Sequence, residues 1–238
     1  EGSVEHTLWV VTEMSDIEKI TDGFDRLGVI YIADGHHRSA AASRVAAARN
    51  EAKANPTGNE PYNSFLIVSF PEAEVKIYDY NRVVKDLNGL SEQDFLGAVS
   101  SAFDVVEKDS AAKPSARNSF GMYLAGKWYA LSLKDPAPSD GSPVDILDIS
   151  LLTSRLLEPV LSIGDPRVDP RIDFIGGIRG MAELEKRVNS GNWAVAFALF
   201  PTSMADLMSV ADAEEVMPPK STWFEPKLAD GMVSLVLE

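Results

Sequence analysis

The sequence predicts a mixed α/β fold. Short apolar runs typical of strands alternate with segments whose apolar residues repeat at helical spacing, and a hairpin-like pair of runs interrupts this alternation. A chain of 238 residues is long enough to bury a substantial hydrophobic core. The most linker-like stretch, at 134–143, is rich in Pro, Asp and Ser. We therefore expect three regions: 1–80 with the candidate site, 81–140 as an inserted or appended α/β subdomain, and 141–238 completing the core.

The N-terminal third contains two candidate helices. The sequence S-D-I-E at 15–18 matches a capping box with Ser15 as the N-cap, which predicts a helix to about Leu27. An alanine-rich segment predicts a second helix from His36 to about Lys53. Apolar or β-branched runs predict four strands in this part of the chain, at 6–12, 29–33, 64–70 and 75–80.

The remainder of the chain continues the mixture. Ser91 begins a second sequence that resembles a capping box, and this predicts a helix to about Phe103. The pair 122–124 and 128–133 flanks Ala-Gly-Lys and predicts a hairpin. One further helix is predicted at 144–157. Another is predicted to follow the glycine pair at 176–177 and to end at about Asn189. Further strands are predicted at 103–106, 174–175, 193–199 and 232–237.

One eight-residue stretch combines most of the residues suited to chemistry. It reads Y-I-A-D-G-H-H-R at 31–38, between an expected strand and an expected helix, and holds two of the three histidines. Backbone N–H groups at a helix start lack intrahelical partners, and the helix dipole favours an anion there. Gly35 permits a close approach, while His37 and Arg38 offer donors to phosphate oxygens. The alternative is a solvated helix start that Asp34 merely caps, but cations at that end of a helix stabilise it poorly.

Composition limits the partners that we expect. A net charge of −14 argues against a broad nucleic-acid-binding surface, and no apolar run is long enough to span a membrane. The sequence has no cysteine and no recognisable signal peptide, which is compatible with a cytoplasmic protein. A small anionic molecule remains the expected partner, at a place where local positive groups overcome the overall field. We expect no resident metal site, and the oligomeric state is open.

Two further motifs have functional and structural interpretations. The loop D-P-R-V-D-P-R at 165–171 either closes over a ligand or is a solvated loop with local ion pairs. Lys220, Ser221 and Thr222 follow two prolines, which suits either a structural turn or a presented lysine. In the second case we expect Lys220 to supply another positive arm to the phosphate turn.

The motif D-G-H-H-R resembles the D-G-x-H-R or G-x-H-R signature of the ParB/sulfiredoxin superfamily. In sulfiredoxins the corresponding turn holds ATP phosphates, in ParB proteins it binds CTP, and free serine kinases use it to phosphorylate serine. The resemblance implies a ParB/sulfiredoxin-like core in which Gly35, His37 and Arg38 hold phosphate. His36 stands where sulfiredoxins have their attacking cysteine, so peroxiredoxin repair is excluded.

A resemblance over nearly the whole chain is to the family called domain of unknown function 1015. It is carried by A-D-G-H-H-R, by R-V-V at 82–84 with Asn81 in place of a frequent His, and by M-P-P-K-S-T-W-F-x-P-K at 217–227. Members of that family are longer at the N-terminus. In free serine kinases the catalytic carboxylate precedes the phosphate turn, which implies Glu5, Glu13 or a residue outside this chain.

These features together predict a nucleotide-dependent phosphotransferase acting on a small hydroxyl metabolite, with serine or phosphoserine as the preferred substrate. The candidate catalytic residues are Asp34, His36, His37 and Glu13. The candidate phosphate-binding residues are Gly35, His37, Arg38, Lys220, Ser221 and Thr222. ATP or ADP with Mg²⁺ is the expected cofactor. The alternatives are a nucleotide-binding regulatory module without turnover and an interaction protein that binds no small ligand.

Overall fold

The computed structural model describes residues 5–135, 141–229 and 231–237. Over these residues the fold is mixed α/β, as predicted. The α-helices are α1 (Met14–Asp25), α2 (His36–Ala52), α3 (Glu92–Ala102), α4 (Asp148–Leu152), α5 (Met181–Asn189) and α6 (Met204–Asp212). The strands are β1 (Lys76–Tyr78), β2 (Tyr80–Val84), β3 (Phe103–Lys108), β4 (Ser119–Leu124), β5 (Lys127–Leu133), β6 (Ile172–Gly176), β7 (Val195–Leu199) and β8 (Trp223–Glu225).

The chain divides into two compact units. The first unit comprises Glu1–Pro71 together with Pro226–Glu238, and the second comprises Glu72–Glu225. The first unit contains α1 and α2, and the second contains the other described helices and all the described strands. The three regions expected from the sequence stay a prediction.

A six-stranded antiparallel sheet is the centre of the second unit. Its strand order is β3-β5-β4-β7-β2-β6. The predicted hairpin is confirmed as β4–β5, in which Leu124 pairs with Lys127 across a two-residue turn. Ala125 and Gly126 both have positive φ, at 49° and 82°, as a type I′ hairpin turn requires. A separate two-stranded antiparallel sheet joins β1 to β8.

Hydrophobic side chains cover both faces of the six-stranded sheet. Successive residues of a strand point to opposite faces, so Val84 joins the larger cluster and Val83 the smaller one. The larger cluster includes Phe95 of α3 and Leu152 of α4. The smaller cluster includes Leu184 of α5. This two-sided burial explains why β7 reads as a continuous apolar run rather than an alternating one.

Four predicted strands are wrong. Residues 6–12, 29–33, 64–70 and 232–237 form no strand in the described structure. Many of their apolar side chains are exposed, including Trp9 at 80% and Val29 at 62%. A strand requires a hydrogen-bonded neighbour, and an apolar run by itself does not supply one. The helix start at His36 therefore does not follow a strand.

Helix starts were predicted with mixed success. Helix α2 begins at His36 and helix α3 is capped by Ser91, whose hydroxyl accepts the Asp94 N–H at 3.2 Å, so both predictions are confirmed. The capping box at Ser15 is wrong, because α1 begins at Met14 and no side chain caps it. The sequence analysis also missed the capping box of α6, formed by Ser203 and Asp206.

The segment predicted as one helix at 144–157 is shorter and irregular. It contains α4 and then a π-helical turn at Thr153–Leu157. The predicted linker at 134–143 lies partly outside the described residues. In the glycine pair, a Cβ on Gly177 would lie 2.2 Å from an Asp79 carboxylate oxygen, so the pair permits close packing. None of the described helices combines the length and apolar character needed to cross a bilayer.

Candidate phosphate-binding turn

The turn at Asp34–Arg38 starts the longest described helix of the first unit. Gly35 is the N-cap of α2 and has φ of 83°, a left-handed conformation that favours glycine. The Asp34 carboxylate accepts the Gly35 N–H at 2.7 Å. No side chain caps α2 and its first turn contains no acidic residue. No carboxylate in the first turn of this 17-residue helix therefore neutralises the positive end of its dipole.

The Arg38 side chain folds back over this helix start. A Cβ placed on Gly35 would lie 3.4 Å from Arg38 Nη2 and 3.5 Å from its Nε. The backbone N–H groups of Arg38 and Ser39 both donate to the Gly35 carbonyl at 3.0 Å. The planar guanidinium is thus placed beside the backbone of the turn, where its charge adds to that of the helix dipole.

Asp34 forms an ion pair with a lysine that lies late in the sequence. Lys227 Nζ donates to Asp34 Oδ2 at 2.7 Å. This hydrogen bond is the largest influence on the Asp34 carboxyl and lowers its pKa, with further lowering by the Gly35 N–H and the charge of Arg38, while partial burial opposes the change. An ionised carboxylate suits a Mg²⁺ ligand or a group that orients a ligand's water. It does not suit a general base that must titrate near pH 7.

The two histidines and Arg38 are exposed. Ser39 beside them is half-buried, and its hydroxyl bonds within the turn to the His36 carbonyl at 3.0 Å. The concave pocket expected here stays a prediction, and the expected strand in front of the turn is wrong. Asp34, Gly35 and Arg38 lie side by side in the turn, and their role in binding phosphate stays a prediction.

Lys227 is the residue of this turn that the sequence analysis missed. It lies nearly 200 positions from Asp34, so no local pattern connects the two. A signal was nevertheless present, because Lys227 is the final lysine of M-P-P-K-S-T-W-F-x-P-K.

Lys220, Ser221 and Thr222 belong to the second unit. Ser221 is buried and its hydroxyl donates to the Pro218 carbonyl at 2.7 Å, which closes a local turn. Lys220 has φ of 55° and its ammonium lies 5.9 Å from the centre of the Tyr80 ring. The Ser221 contact is structural, and a phosphate-binding role for the three residues stays a prediction.

The remaining candidates have separate surroundings. Glu13 precedes α1 and its backbone carbonyl accepts the N–H groups of Asp16 and Ile17 at 3.0 Å, while Glu5 and Glu13 are both exposed. Asn81 is structural, since its amide donates to Asp79 at 2.6 Å and accepts the Leu199 N–H at 3.0 Å. Within the described residues, no group of three or more His, Asp or Glu side chains is arranged to hold a metal ion.

The loop at 165–171 contains local ion pairs. Arg167 binds Asp165 through Nε and Nη2, at distances of 2.8 to 3.1 Å. Arg171 pairs with Asp169 at 3.0 Å and also donates to the carbonyl of Ser162 at 2.7 Å. These contacts support the structural interpretation of its charged residues.

Solved structures of similar shape include free serine kinases. A variant of free serine kinase in complex with AMP matches with a TM-score of 0.45 and 16% identity, over 90% of this chain and 81% of that chain. Free serine kinase in complex with AMP matches with a TM-score of 0.43, 16% identity and the same coverage. A conserved hypothetical protein from Pyrococcus furiosus has a TM-score of 0.43 and 16% identity, over 69% of this chain and 62% of that chain.

The sequence comparison gives the family. No curated protein matches the chain in sequence. The family model described as a protein of unknown function (DUF1015) matches residues 1–150, which include the turn, the Arg82 strand and the β4–β5 hairpin. That match covers more than half of the sequence, and the chain belongs to the DUF1015 family.

Proposed function

We propose that this protein is a nucleotide-dependent phosphotransferase that acts on a small hydroxyl metabolite, with serine or phosphoserine as the substrate. One observation carries the proposal. The Arg38 guanidinium lies over Gly35 at the start of α2, which no side chain caps, beside an Asp34 carboxylate that is paired with Lys227. This combination places positive groups around a backbone surface that a phosphate can approach closely.

The turn would bind the phosphates of ATP or ADP. Phosphoryl transfer depends mainly on positioning and on neutralising the charge of the phosphate oxygens. The free helix N–H groups, Arg38 and a donating His37 would provide that neutralisation. Lys220, Ser221 and Thr222, which belong to the second unit, stay predicted phosphate-binding residues. Mg²⁺, with Asp34 as a ligand or as the acceptor of its water, would supply further charge stabilisation.

The transfer step requires a carboxylate that accepts a proton. The serine hydroxyl oxygen attacks the γ-phosphorus, the bond from phosphorus to the bridging oxygen of ADP breaks, and the hydroxyl proton passes to Glu13. His36 lies next to the phosphate-binding groups and would orient the acceptor. In reverse, the same residues would transfer phosphate from phosphoserine to ADP.

A second candidate function is a nucleotide-binding regulatory module without turnover. The observation that favours it is the exposure of the turn, since His36, His37 and Arg38 all face solvent. Efficient phosphoryl transfer generally needs exclusion of water from the reacting groups. Both candidates share nucleotide binding, so binding is tested first and turnover second.

The binding test compares Arg38→Ala with a matched arginine of the same helix. Titration calorimetry with Mg²⁺-ATP and Mg²⁺-ADP should show a loss of about ten- to a hundredfold in affinity for Arg38→Ala, since a hydrogen bond to a charged group contributes about 1.5–3 kcal/mol. Arg38→Lys should recover part of the loss, because an ammonium lacks the two-pronged geometry. Arg44→Ala is the control, as Arg44 is exposed on α2 two turns further on. Equal affinities for all variants would remove the turn from the proposal.

The turnover test separates the two candidates. Phosphorus NMR of serine with Mg²⁺-ATP, and of phosphoserine with Mg²⁺-ADP, should show the product in each direction for the wild type. Glu13→Gln should keep nucleotide affinity and lose turnover if Glu13 accepts the proton. Tight nucleotide binding without product in either direction would favour the regulatory module.

A further inference from the structure

A second candidate site lies in the second unit, around the buried Arg82. Arg82 is on β2 and is 1% exposed. A cavity of about 200 Å³ reaches it. We call this space the Arg82 cavity, and its walls are formed by Arg82, Ile149, Ser150, Thr153, Ser154, Glu158, Pro166, Pro218 and Pro219.

The charge of Arg82 has no counter-ion in the described structure. Its guanidinium donates to three backbone carbonyls: that of Tyr80, that of Lys220 at 2.9 Å and that of Pro219 at 3.4 Å. It also lies 4.9 Å from the centre of the Phe174 ring. Carbonyls and rings are neutral, so they solvate the cation without cancelling it. Buried charges are normally paired with an opposite charge, so an unpaired guanidinium at a cavity wall is suited to binding an anion.

The acid–base state of Arg82 agrees with this interpretation. Burial lowers the pKa of Arg82 to about 9, and the one opposing influence is Tyr80, with no contribution from a carboxylate. The side chain therefore remains cationic at neutral pH despite its burial. An anion that entered the cavity would raise this pKa again, because it favours the charged form.

The local backbone supplies an independent observation. Thr153 and Ser154 begin the π-helical turn that interrupts the helix after α4. Such turns are rare and occur frequently at functional sites. Two residues of this turn, Thr153 and Ser154, line the cavity, and both carry a hydroxyl group. The Thr153 hydroxyl donates to the Ile149 carbonyl at 2.7 Å. Pro218 and Pro219 form part of another wall, and the carbonyls that Arg82 binds hold this segment in place.

We propose that the Arg82 cavity binds a small organic monocarboxylate with an apolar body. Its carboxylate would pair with the Arg82 guanidinium, and the Ser150 hydroxyl would donate to a remaining oxygen lone pair. Ile149 and the three prolines would contact the apolar part. The volume equals that of about seven water molecules in the liquid, which suits a short-chain acid rather than a nucleotide.

The exposed Glu158 at the cavity supports a singly charged ligand. Its carboxylate would repel a second negative charge, and this disfavours phosphate monoesters and polyphosphates relative to a monocarboxylate. The Arg82 cavity belongs to the second unit and the turn at Asp34–Arg38 to the first. The proposal for the cavity does not rest on the proposed phosphotransferase activity.

The direct test titrates the full chain with butyrate, butyramide and inorganic phosphate, and follows backbone amide shifts by NMR. Butyrate should bind saturably, with a dissociation constant on the order of 1 mM for so small a ligand, and should shift the amides of Ser150, Thr153 and Ser154. Butyramide has the same shape without charge and should bind at least about tenfold more weakly. Equal binding of butyramide at these amides, tighter binding of phosphate at these amides, or no butyrate binding there would each overturn the proposal.

Variants at the cavity entrance avoid the risk that replacing Arg82 prevents folding. Ser154→Trp should fill the cavity and abolish butyrate binding, whereas Ser101→Trp, at an exposed serine of α3, should leave it unchanged. Glu158→Gln should tighten butyrate binding by a few-fold in low salt and less in high salt. Unchanged butyrate affinity in both Ser154→Trp and Glu158→Gln would place the ligand elsewhere and contradict the proposal.

Discussion

Lys227 lowers the pKa of Asp34 in the turn at Asp34–Arg38, mainly through its 2.7 Å hydrogen bond to that carboxylate. The pKa of Asp34 is lowered mainly by this bond, so removal of the ammonium should return it towards its ordinary value. We expect Lys227→Met to raise the titration midpoint of the Asp34 carboxyl, measured by carbon NMR of the side-chain carboxyl. Lys19→Met, which removes the exposed pair with Asp16, should leave the Asp34 midpoint unchanged. An unaltered midpoint in Lys227→Met would show that the contact does not persist in solution.

Asp148 is a residue whose burial makes stability depend on pH. Its Oδ1 accepts the Asn118 N–H at 2.8 Å, while its buried Oδ2 has no hydrogen-bond partner among the described groups. Burial raises the pKa of Asp148 to about 6, with a smaller increase from Asp206, and the Asn118 N–H and Arg117 oppose it. The folded state therefore binds more protons than the unfolded state between about pH 4 and 6. Its contribution to stability is largest below this range and is lost as the pH rises through it.

Replacing Asp148 by Asn should remove that contribution. The free energy of unfolding is measured with urea at pH 4 and at pH 7. We expect the loss of stability from pH 4 to pH 7 to be smaller in Asp148→Asn than in the wild type. Asp145→Asn provides the control, because Asp145 is an exposed residue three positions earlier. The difference between the two variants separates the contribution of Asp148 to the pH dependence of stability from the contributions of carboxyls whose pKa is lowered. A wild-type pH dependence in Asp148→Asn would contradict the assignment.

At the scale of elements, helix α3 tests how much one cap contributes. Ser91 Oγ accepts the Asp94 N–H, and the loss of such a cap costs about 1 kcal/mol, within a range of about 0.5–2 kcal/mol. We expect Ser91→Ala to lower the free energy of unfolding by that amount in urea titrations. Ser101→Ala, near the exposed end of the same helix, should change it by less than about 0.5 kcal/mol. Equal effects of the two variants would mean that the cap does not stabilise the helix.

Elements defined by local interactions could be predicted from the sequence. The start of α3 depends on residues three positions apart, and the β4–β5 hairpin depends on its two-residue turn. The start of α2 follows from Gly35 and the alanines after it. At Ser15 the same local pattern failed, because S-D-I-E allows a capping box but does not require the helix to start there. Local patterns therefore predict that an element exists better than they predict its first residue.

Several elements that depend on distant partners could not be predicted. Residues 29–33 have the composition of a buried strand. Val29 and Ile32 are nevertheless exposed, and neither residue belongs to a strand of the two described sheets. Strand β8 is only three residues long and exists because it pairs with β1, about 150 positions earlier. The site follows the same rule. Gly35 and Arg38 are connected by local geometry and were predicted, whereas Lys227 depends on a contact between the two ends of the first unit.

At the scale of the whole molecule, the hydrophobic core is unevenly distributed. Every buried hydrophobic side chain in the described residues belongs to the second unit, between Val83 and Phe224. In the described part of the first unit the buried residue is Glu60, held by Lys53 at 2.6 Å and by backbone N–H groups of the loop after α2. Burial of apolar surface is the main favourable contribution to folding. Most of the stability should therefore come from the second unit.

This distribution predicts that residues 72–225 fold without the rest of the chain. We expect the isolated fragment to unfold cooperatively in urea, with a midpoint within about 0.5 M of that of the main transition of the full chain. A fragment of residues 1–71 should show no cooperative transition. Phe120→Ala removes a ring that is 1% exposed and packs edge-to-face on Phe103, so it should cost about 3–5 kcal/mol in both the full chain and the 72–225 fragment. A 72–225 fragment without a cooperative transition, or one insensitive to Phe120→Ala, would show that the core needs the first unit to form.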